Sequence, residues 1–314
     1  MVRSQTRPAW GGAARVAPPR RAAWIVPLLV FAFVLAAPTT HAISDDAAGL
    51  RLRQYALRVQ LAHSAFDRPL WLDSTQRDGA LTGNVYALVN YPFAVVRPAL
   101  QGMGHWCDIL ILHLNVKMCA GQGAGANSVL NVAIGRKAQQ GPFEEYGLSF
   151  AYRVVADRAD FLDVRLRAEE GPFDTAHYRI VLQAIPVDEK HTFIRLYYAY
   201  DYGFAAALAM QTYLVSSGRK KVGFTVEGLN DDGAPAFIRG ARGVIERNTM
   251  RYYLAIDAYL AAGTLPLARQ PEQRLQNWFT AVEAYPRQLH ELDRAEYVTM
   301  KRKEIARQQA AASP

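Results

Sequence analysis

GPFDTAHYRIVLQAIPVDEKHTFIRLYYAYDYG, residues 171–203, holds two stretches in which every second side chain is apolar or aromatic. Tyr178, Ile180, Leu182 and Ala184 alternate in the first, and Ile194, Leu196, Tyr198 and Tyr200 in the second. A period of two marks an extended strand with one buried face, because successive side chains leave a strand on opposite sides. Asp188-Glu189-Lys190 separates the two runs, short and polar, so 176–187 and 191–201 are expected to fold back on each other as a hairpin.

The same period recurs upstream. In 161–168, Leu162, Val164, Leu166 and Ala168 alternate with Asp163, Arg165 and Arg167, which predicts one buried and one wet face. Residues 148–155 place Leu148, Phe150, Tyr152 and Val154 on one side, and 129–137 and 81–90 read as further strands. Tyr91-Pro92 stops the last of these ahead of a helical stretch, 93–101, and GQGAGAN (121–127) marks a loop. Downstream the texture turns helical. A helix-like segment, 204–217, ends at Gly218, and 221–226 reads as a last strand with Val222, Phe224 and Val226 on one side. Residues 239–262 form a long helix with Ile245, Tyr252, Ile256 and Tyr259 near one stripe, Glu246 and Asp257 off it, and Gly263 as its terminator. Two more helices, 271–284 and 286–309, are divided by Pro286. Ahead of the sheet, Ser44-Asp45-Asp46 caps a helix over 44–64, and 67–80, with Pro69, Asp78 and Gly79, reads as a connection. The fold class is α+β, a largely antiparallel sheet with one long helix and extra helices at both ends.

The first 42 residues carry a different message. Arg15, Arg20 and Arg21 precede an apolar run from Ala22 to Ala37, and Thr40-His41-Ala42 ends it with a small residue suited to cleavage. This is the pattern of a secretory signal cleaved after Ala42, which implies a periplasmic or secreted protein; an uncleaved anchor is the alternative. The 314-residue chain has a formal charge of +8. Five arginines and no acid lie in 1–42, so the remainder carries only +3. Such a balance gives no motive for nucleic acid as a partner.

HWCDILILHLNVKMC, residues 105–119, contains both cysteines of the chain, Cys107 and Cys119. An oxidising compartment favours a disulfide. A single strand over 107–119 forbids one, since twelve residues at about 3.3 Å each hold the sulfurs tens of ångströms apart. A bridge needs a reversal between them; without it the cysteines are two buried thiols.

Three stretches together, GNVYALVNYPFAVVRPAL (83–100), HWCDIL (105–110) and the opening 171–203 segment, resemble the START-like lipid-transfer superfamily, also called SRPBCC or helix-grip proteins. They look like that superfamily's first strand with its following helices, and its late hairpin. The likeness covers roughly 80–262 and rests on hydrophobic pattern and punctuation, not on a signature. It implies a sheet that grips a long helix and encloses a hydrophobic cavity. It also implies a short helix ending near Leu110 and a strand starting near Asn115, so that the chain bends between Cys107 and Cys119 and a bridge can form. The domain division that follows is 1–42 signal, 43–80 N-terminal helix and connection, 81–262 START-like domain, and 263–314 C-terminal helical extension. Three departures from the family stand out: the 204–217 insertion, the C-terminal helices and the secretion signal. The insertion leaves open which helix closes the cavity.

No residue set announces a reaction. A serine elbow, HExxH, a Walker loop and the dinucleotide fingerprint are all lacking, and Gly121, Gly123 and Gly125 read as a turn. His105, Cys107, His113 and Cys119 match no zinc spacing, a Cys107/His113 nucleophile pair has no orienting group, and no cofactor motif occurs. Arg247 and Arg251, at i and i+4, meet on one helix face, a like-charged pair that an anion would relieve, whether a lipid head group or an acid from the sheet. Tyrosines crowd the same region of the sequence (Tyr197, Tyr198, Tyr200, Tyr202, Tyr213, Tyr252, Tyr253 and Tyr259), and a phenol suits both an amphiphile pocket and ordinary packing. The ligand-binding candidates are therefore Trp106, Tyr198, Tyr200, Arg247, Arg251 and Tyr252, with a hydrophobic small molecule or lipid as partner. The alternatives are a cyclase- or dehydratase-like enzyme using Arg195, His177 or Arg247, and an envelope scaffold acting through the C-terminal helices. Lys301, Arg302 and Lys303 offer a peripheral membrane contact, but Glu291, Asp293, Glu296 and Glu304 offset them, favouring a solvated face.

Overall fold

The structure, a computed structural model, describes residues 46–135, 145–204, 206–207 and 221–312. The signal, most of the 204–217 segment with Tyr213 and Gly218, and the end of the 129–137 strand lie outside these residues.

Asp46 accepts the Gly49 N–H at 2.8 Å and starts α1 (Ala47–Ala56); α2 (Arg58–Ala62) follows after a break at Leu57. Two strands come next, β1 (Leu70–Arg77) and β2 (Ala80–Val89), where a connection and one strand were expected. The turn between them is Asp78-Gly79 with φ of 45° and 79°, a two-residue reversal that needs the left-handed region at both positions. Helices α3 (Phe93–Ala99) and α4 (Met103–Leu110) lead to β3 (Val116–Gln122) and β4 (Val129–Ile134). Strands β5 (Tyr146–Arg158), β6 (Phe161–Glu170), β7 (Thr175–Pro186) and β8 (Thr192–Tyr202) complete one antiparallel sheet in the order β1-β2-β8-β7-β6-β5-β4-β3.

The strand expected over 221–226 is not there. Phe224 and Thr225 donate their N–H groups to the carboxylate of Glu246 at 2.6 and 2.9 Å, and Gly223 donates to the Ile238 carbonyl at 2.7 Å, so the segment is tied to a helix, not to the sheet. A small exposed hairpin, β9 (Val226–Leu229) and β10 (Pro235–Phe237), follows it. The long helix is α5 (Gly240–Ala262). Glu246 does not lie on a wet face: it is fully buried, accepting also from Ser74 and Thr225 hydroxyls at 2.6 Å each. Four donors satisfy the carboxylate, which is what a buried charge requires. α5 packs on the sheet on one side and on α6 (Gln270–Glu283) on the other, so a single apolar stripe cannot describe it.

The last expected helix is two: α7 (Pro286–Leu289) and α8 (Arg294–Ala312). Arg251 takes the Leu289 carbonyl and Lys221 the His290 carbonyl, acceptors that a continuous helix would have used itself. α8 braces the turn between α4 and β3: Tyr297 donates to the Leu112 carbonyl at 3.0 Å, and Lys301 to His113 and Val116 carbonyls at 2.7 Å each. Lys301 is fully buried and paired with Glu304 at 2.7 Å, and Arg302 with Glu272 at 2.8 Å, so these two cations do not form an outward basic patch.

Two clusters make the core. The larger runs between the inner sheet face, α5 and the C-terminal helices; the smaller joins Leu50, Leu57 and Leu61 to Tyr86, Phe161, Ile185 and Phe193 on the outer face. Because α1 and α2 cover that outer face, Asp163 is buried and not wet: it binds Arg165 at 2.7 Å and Gln183 at 3.0 Å.

Candidate ligand-binding site

A cavity of about 380 Å³ lies between the sheet and α5. Strand alternation builds its apolar wall: Val132 and Ile134 from β4, Leu148 and Phe150 from β5, Tyr178 and Ile180 from β7, Tyr198 and Tyr200 from β8. Ile180 faces Tyr198 across the β7–β8 ladder, so one hairpin delivers four of these side chains in register. The helix contributes Val244, Arg247, Asn248, Arg251 and Tyr252, one turn apart on the same face. Leu110, His113, Asn115 and Val116 come from the turn between α4 and β3, which the Cys107–Cys119 disulfide closes with its Cα atoms 5.1 Å apart. Both sulfurs are thus joined to each other, and neither serves as a metal ligand or a nucleophile. Phe173 lines the cavity with its backbone in the left-handed region (φ 57°), its ring 4.6 Å from Tyr146, and itself more than half exposed.

The wall is aromatic and polar in a specific way. Tyr178 stacks on Tyr200 at 5.2 Å, Tyr198 meets Tyr252 edge-on at 5.2 Å, and His113 stacks on Tyr252 at 4.6 Å. The Tyr178 hydroxyl donates to Thr175 at 2.9 Å. Burial pushes the Tyr198, Tyr200 and Tyr252 phenols well above their ordinary pKa, so they stay neutral donors. His113 Nδ1 accepts the Asn115 N–H at 3.1 Å, which in the neutral ring puts its own proton on Nε2.

The charge is gathered at one part of the wall. Arg247 is 2% and Arg251 1% exposed. Arg247 donates to the Val222 carbonyl at 3.2 Å; Arg251 donates to Glu291 at 2.8 Å and to the Leu289 carbonyl at 3.2 Å. Lys221 stands 3.8 Å from the same Glu291. Burial, with Arg251 and Arg247 adding to it against the pull of Glu291, holds the Lys221 ammonium below its ordinary pKa.

Five of the six sequence candidates, Tyr198, Tyr200, Arg247, Arg251 and Tyr252, line the cavity. Trp106 does not: it is buried in the core with its indole N–H on the Leu100 carbonyl at 2.9 Å. A tryptophan beside a cavity wall and one behind it carry the same local pattern. Phe150, Tyr178, His113 and Asn248 are among the lining residues that sequence reasoning did not nominate for the site; the register of the hairpin with Tyr198 was the signal for Tyr178. Of the enzyme candidates only Arg247 reaches the cavity. His177 is exposed and paired with Asp201 at 2.8 Å, and Arg195 lies in a polar chain with Asn84 and Gln183 on the outer sheet face.

No family model and no curated protein matches the chain. Solved structures align with parts of it. A norcoclaurine synthase from Thalictrum flavum is 14% identical over 47% of this chain and 88% of its own, with a TM-score of 0.32. An aromatase/cyclase from Streptomyces sp. R1128 is 12% identical over 66% of this chain and 95% of its own, at 0.29. Human StAR-related lipid transfer protein 5 is 9% identical over 55% and 92%, also at 0.29. The strand order and the placement of α5 carry the assignment of architecture: an antiparallel sheet laid against one long helix, with a cavity between them, is a START-like, helix-grip fold.

Proposed function

We propose that this chain is an exported binding protein whose cavity holds a hydrophobic or amphiphilic ligand, a lipid of the cell envelope in the first place. The observation that carries the reading is the cavity's composition. An apolar and aromatic wall faces a helix with two buried arginines, and among the described residues the hydroxyls of Tyr198, Tyr200 and Tyr252 engage no other group. A concave, mostly apolar site with a few placed polar groups is the form that ligand sites take. Export is supported by the N-terminal arginines and apolar run together with the Cys107–Cys119 bridge, a bond that persists in oxidising compartments.

Native mass spectrometry of the full chain purified without detergent, followed by organic extraction, tests the proposal. A bound species that leaves on extraction, and displacement of the neutral dye Nile red by long-chain lipids, is the expected result. An empty chain that binds no dye overturns it.

A further inference from the structure

We infer that Phe173 determines how a ligand is seated in the cavity: held at the mouth in a conformation that a bulky side chain rarely adopts, its ring is a preformed platform for the ligand's apolar body. This rests on the cavity being a ligand site and assigns the contact made at its open side.

Position is the first ground. Among the described residues lining the cavity Phe173 alone is exposed, at 58%, so its ring stands where the cavity opens to solvent. It belongs to neither core cluster, and it meets the Tyr146 ring at 4.6 Å. Tyr146, Leu148 and Phe150 share a face of β5, so the Phe173–Tyr146 pair carries the apolar wall outward from the cavity. A lone exposed phenylalanine is ordinary on a protein surface. One that ends the wall of a cavity offers apolar area that a bound ligand takes out of water.

Backbone is the second. With φ 57° and ψ 41° at Phe173 and φ 61° at Asp174, two successive L residues occupy the left-handed region, where glycine sits without strain. Such a conformation persists only where its surroundings impose it, and ligand clamps are among the places where it concentrates. Here the Asp174 carbonyl accepts the Gly203 N–H at 2.8 Å, the Thr175 hydroxyl donates to the Pro172 carbonyl, and the Tyr178 hydroxyl donates to Thr175 at 2.9 Å. A Cβ on Gly203 would stand 1.9 Å from an Asp174 carboxylate oxygen, so the chain is bare backbone where the segment presses on it. Phe173 is thereby fixed relative to Tyr178, a member of the cavity wall, before any ligand arrives, and a side chain already ordered loses little freedom on binding. Phenylalanine where glycine fits best costs stability, and its half-exposed packing returns little of it. Contact with a ligand is the use that remains for the ring.

The test is titration of the intact chain with Nile red, in the wild type and in Phe173→Gly, Phe173→Ala and Phe173→Tyr, with each protein also unfolded in urea. Glycine and alanine should weaken dye binding by about tenfold or more, part of what burying an aromatic side chain contributes, and tyrosine, which keeps the ring, should restore it. The urea midpoints should run against the usual order, glycine above alanine, because glycine alone takes the left-handed region freely. Binding that follows the ring while stability follows the backbone is the signature of a ligand contact, which a packing role would not produce. Unchanged dye affinity in the glycine and alanine variants, or an alanine midpoint above that of glycine, overturns the inference and leaves the cavity reading in place. A wild type that binds no dye overturns the cavity reading itself. Because the side chain is exposed and glycine accepts its backbone, the glycine variant keeps the fold in which the comparison is made.

Discussion

At the scale of single residues the cavity's tyrosines make a pH-dependent claim. Tyr198, Tyr200 and Tyr252 are raised by burial, so the folded state keeps their protons at a pH where the unfolded chain, near the ordinary phenol value of about 10, has begun to lose them. Their contribution to stability is therefore fully present below about pH 10 and is lost as pH rises beyond it. Ultraviolet titration at the tyrosinate band should show the cavity set ionising only together with unfolding; Tyr198→Phe should remove one such late phenol. A smooth single titration of every tyrosine near pH 10 would contradict the burial described. The arginines belong to this scale as well. Their i, i+4 spacing was visible in the sequence, but nothing local says that Glu246, one position before Arg247, faces elsewhere. That orientation is fixed by a non-helical segment, 222–225, whose backbone donors converge on it.

At the scale of elements, two contacts set how the cavity is walled. Gly83 on β2 lies under α5, and a Cβ there would stand 2.3 Å from the Thr249 hydroxyl oxygen. Gly83→Ala should destabilise the protein by about 1–3 kcal/mol, the usual cost of overpacking a close contact. Thr249→Ala in the Gly83→Ala background should recover part of that loss, a coupling that a double-mutant cycle in chemical denaturation measures. The second contact is the disulfide. Replacing both Cys107 and Cys119 by alanine should cost about 2–3 kcal/mol for a loop this short. Reducing agent should lower the denaturation midpoint of the wild type and leave the double variant unmoved. The strands with clean alternation, β5 to β8, were legible because their inner positions are uniformly apolar. β1 was not: five of the eight residues of LWLDSTQR are polar, and of its buried positions Leu70, Leu72 and Ser74 only two are apolar, so period two is faint. Asp78-Gly79 was nonetheless a strong hairpin signal, and β1 follows from it once the pair is treated as a turn instead of a link. The absent strand at 221–226 and the broken C-terminal helix have another cause. In both places side chains from distant elements, Glu246, Arg251 and Lys221, capture backbone groups that regular structure would have used. No window of sequence contains that competition.

For the whole molecule, the N-terminal helices and the C-terminal ones do unlike jobs. The first pair shields the outer sheet face and buries Asp163 there; the last helix braces the turn that forms part of the cavity's wall. A scaffold that docked through α8 would have to surrender Tyr297 and Lys301, both fully buried, and with them the carbonyls of Leu112, His113 and Val116. The strand order carries a further consequence, for how the protein is made. From β3 to β8 every ladder joins neighbours in sequence, a meander that can zip as it emerges. β2 instead pairs with β8, whose residues lie roughly a hundred positions later. The β1–β2 hairpin therefore has no partner until Tyr202 has been synthesised, and closing so long a stretch of chain makes its docking a late and slow event. Until then the β1–β2 hairpin stays unlatched from the sheet, in a state that a narrow conduit can still thread.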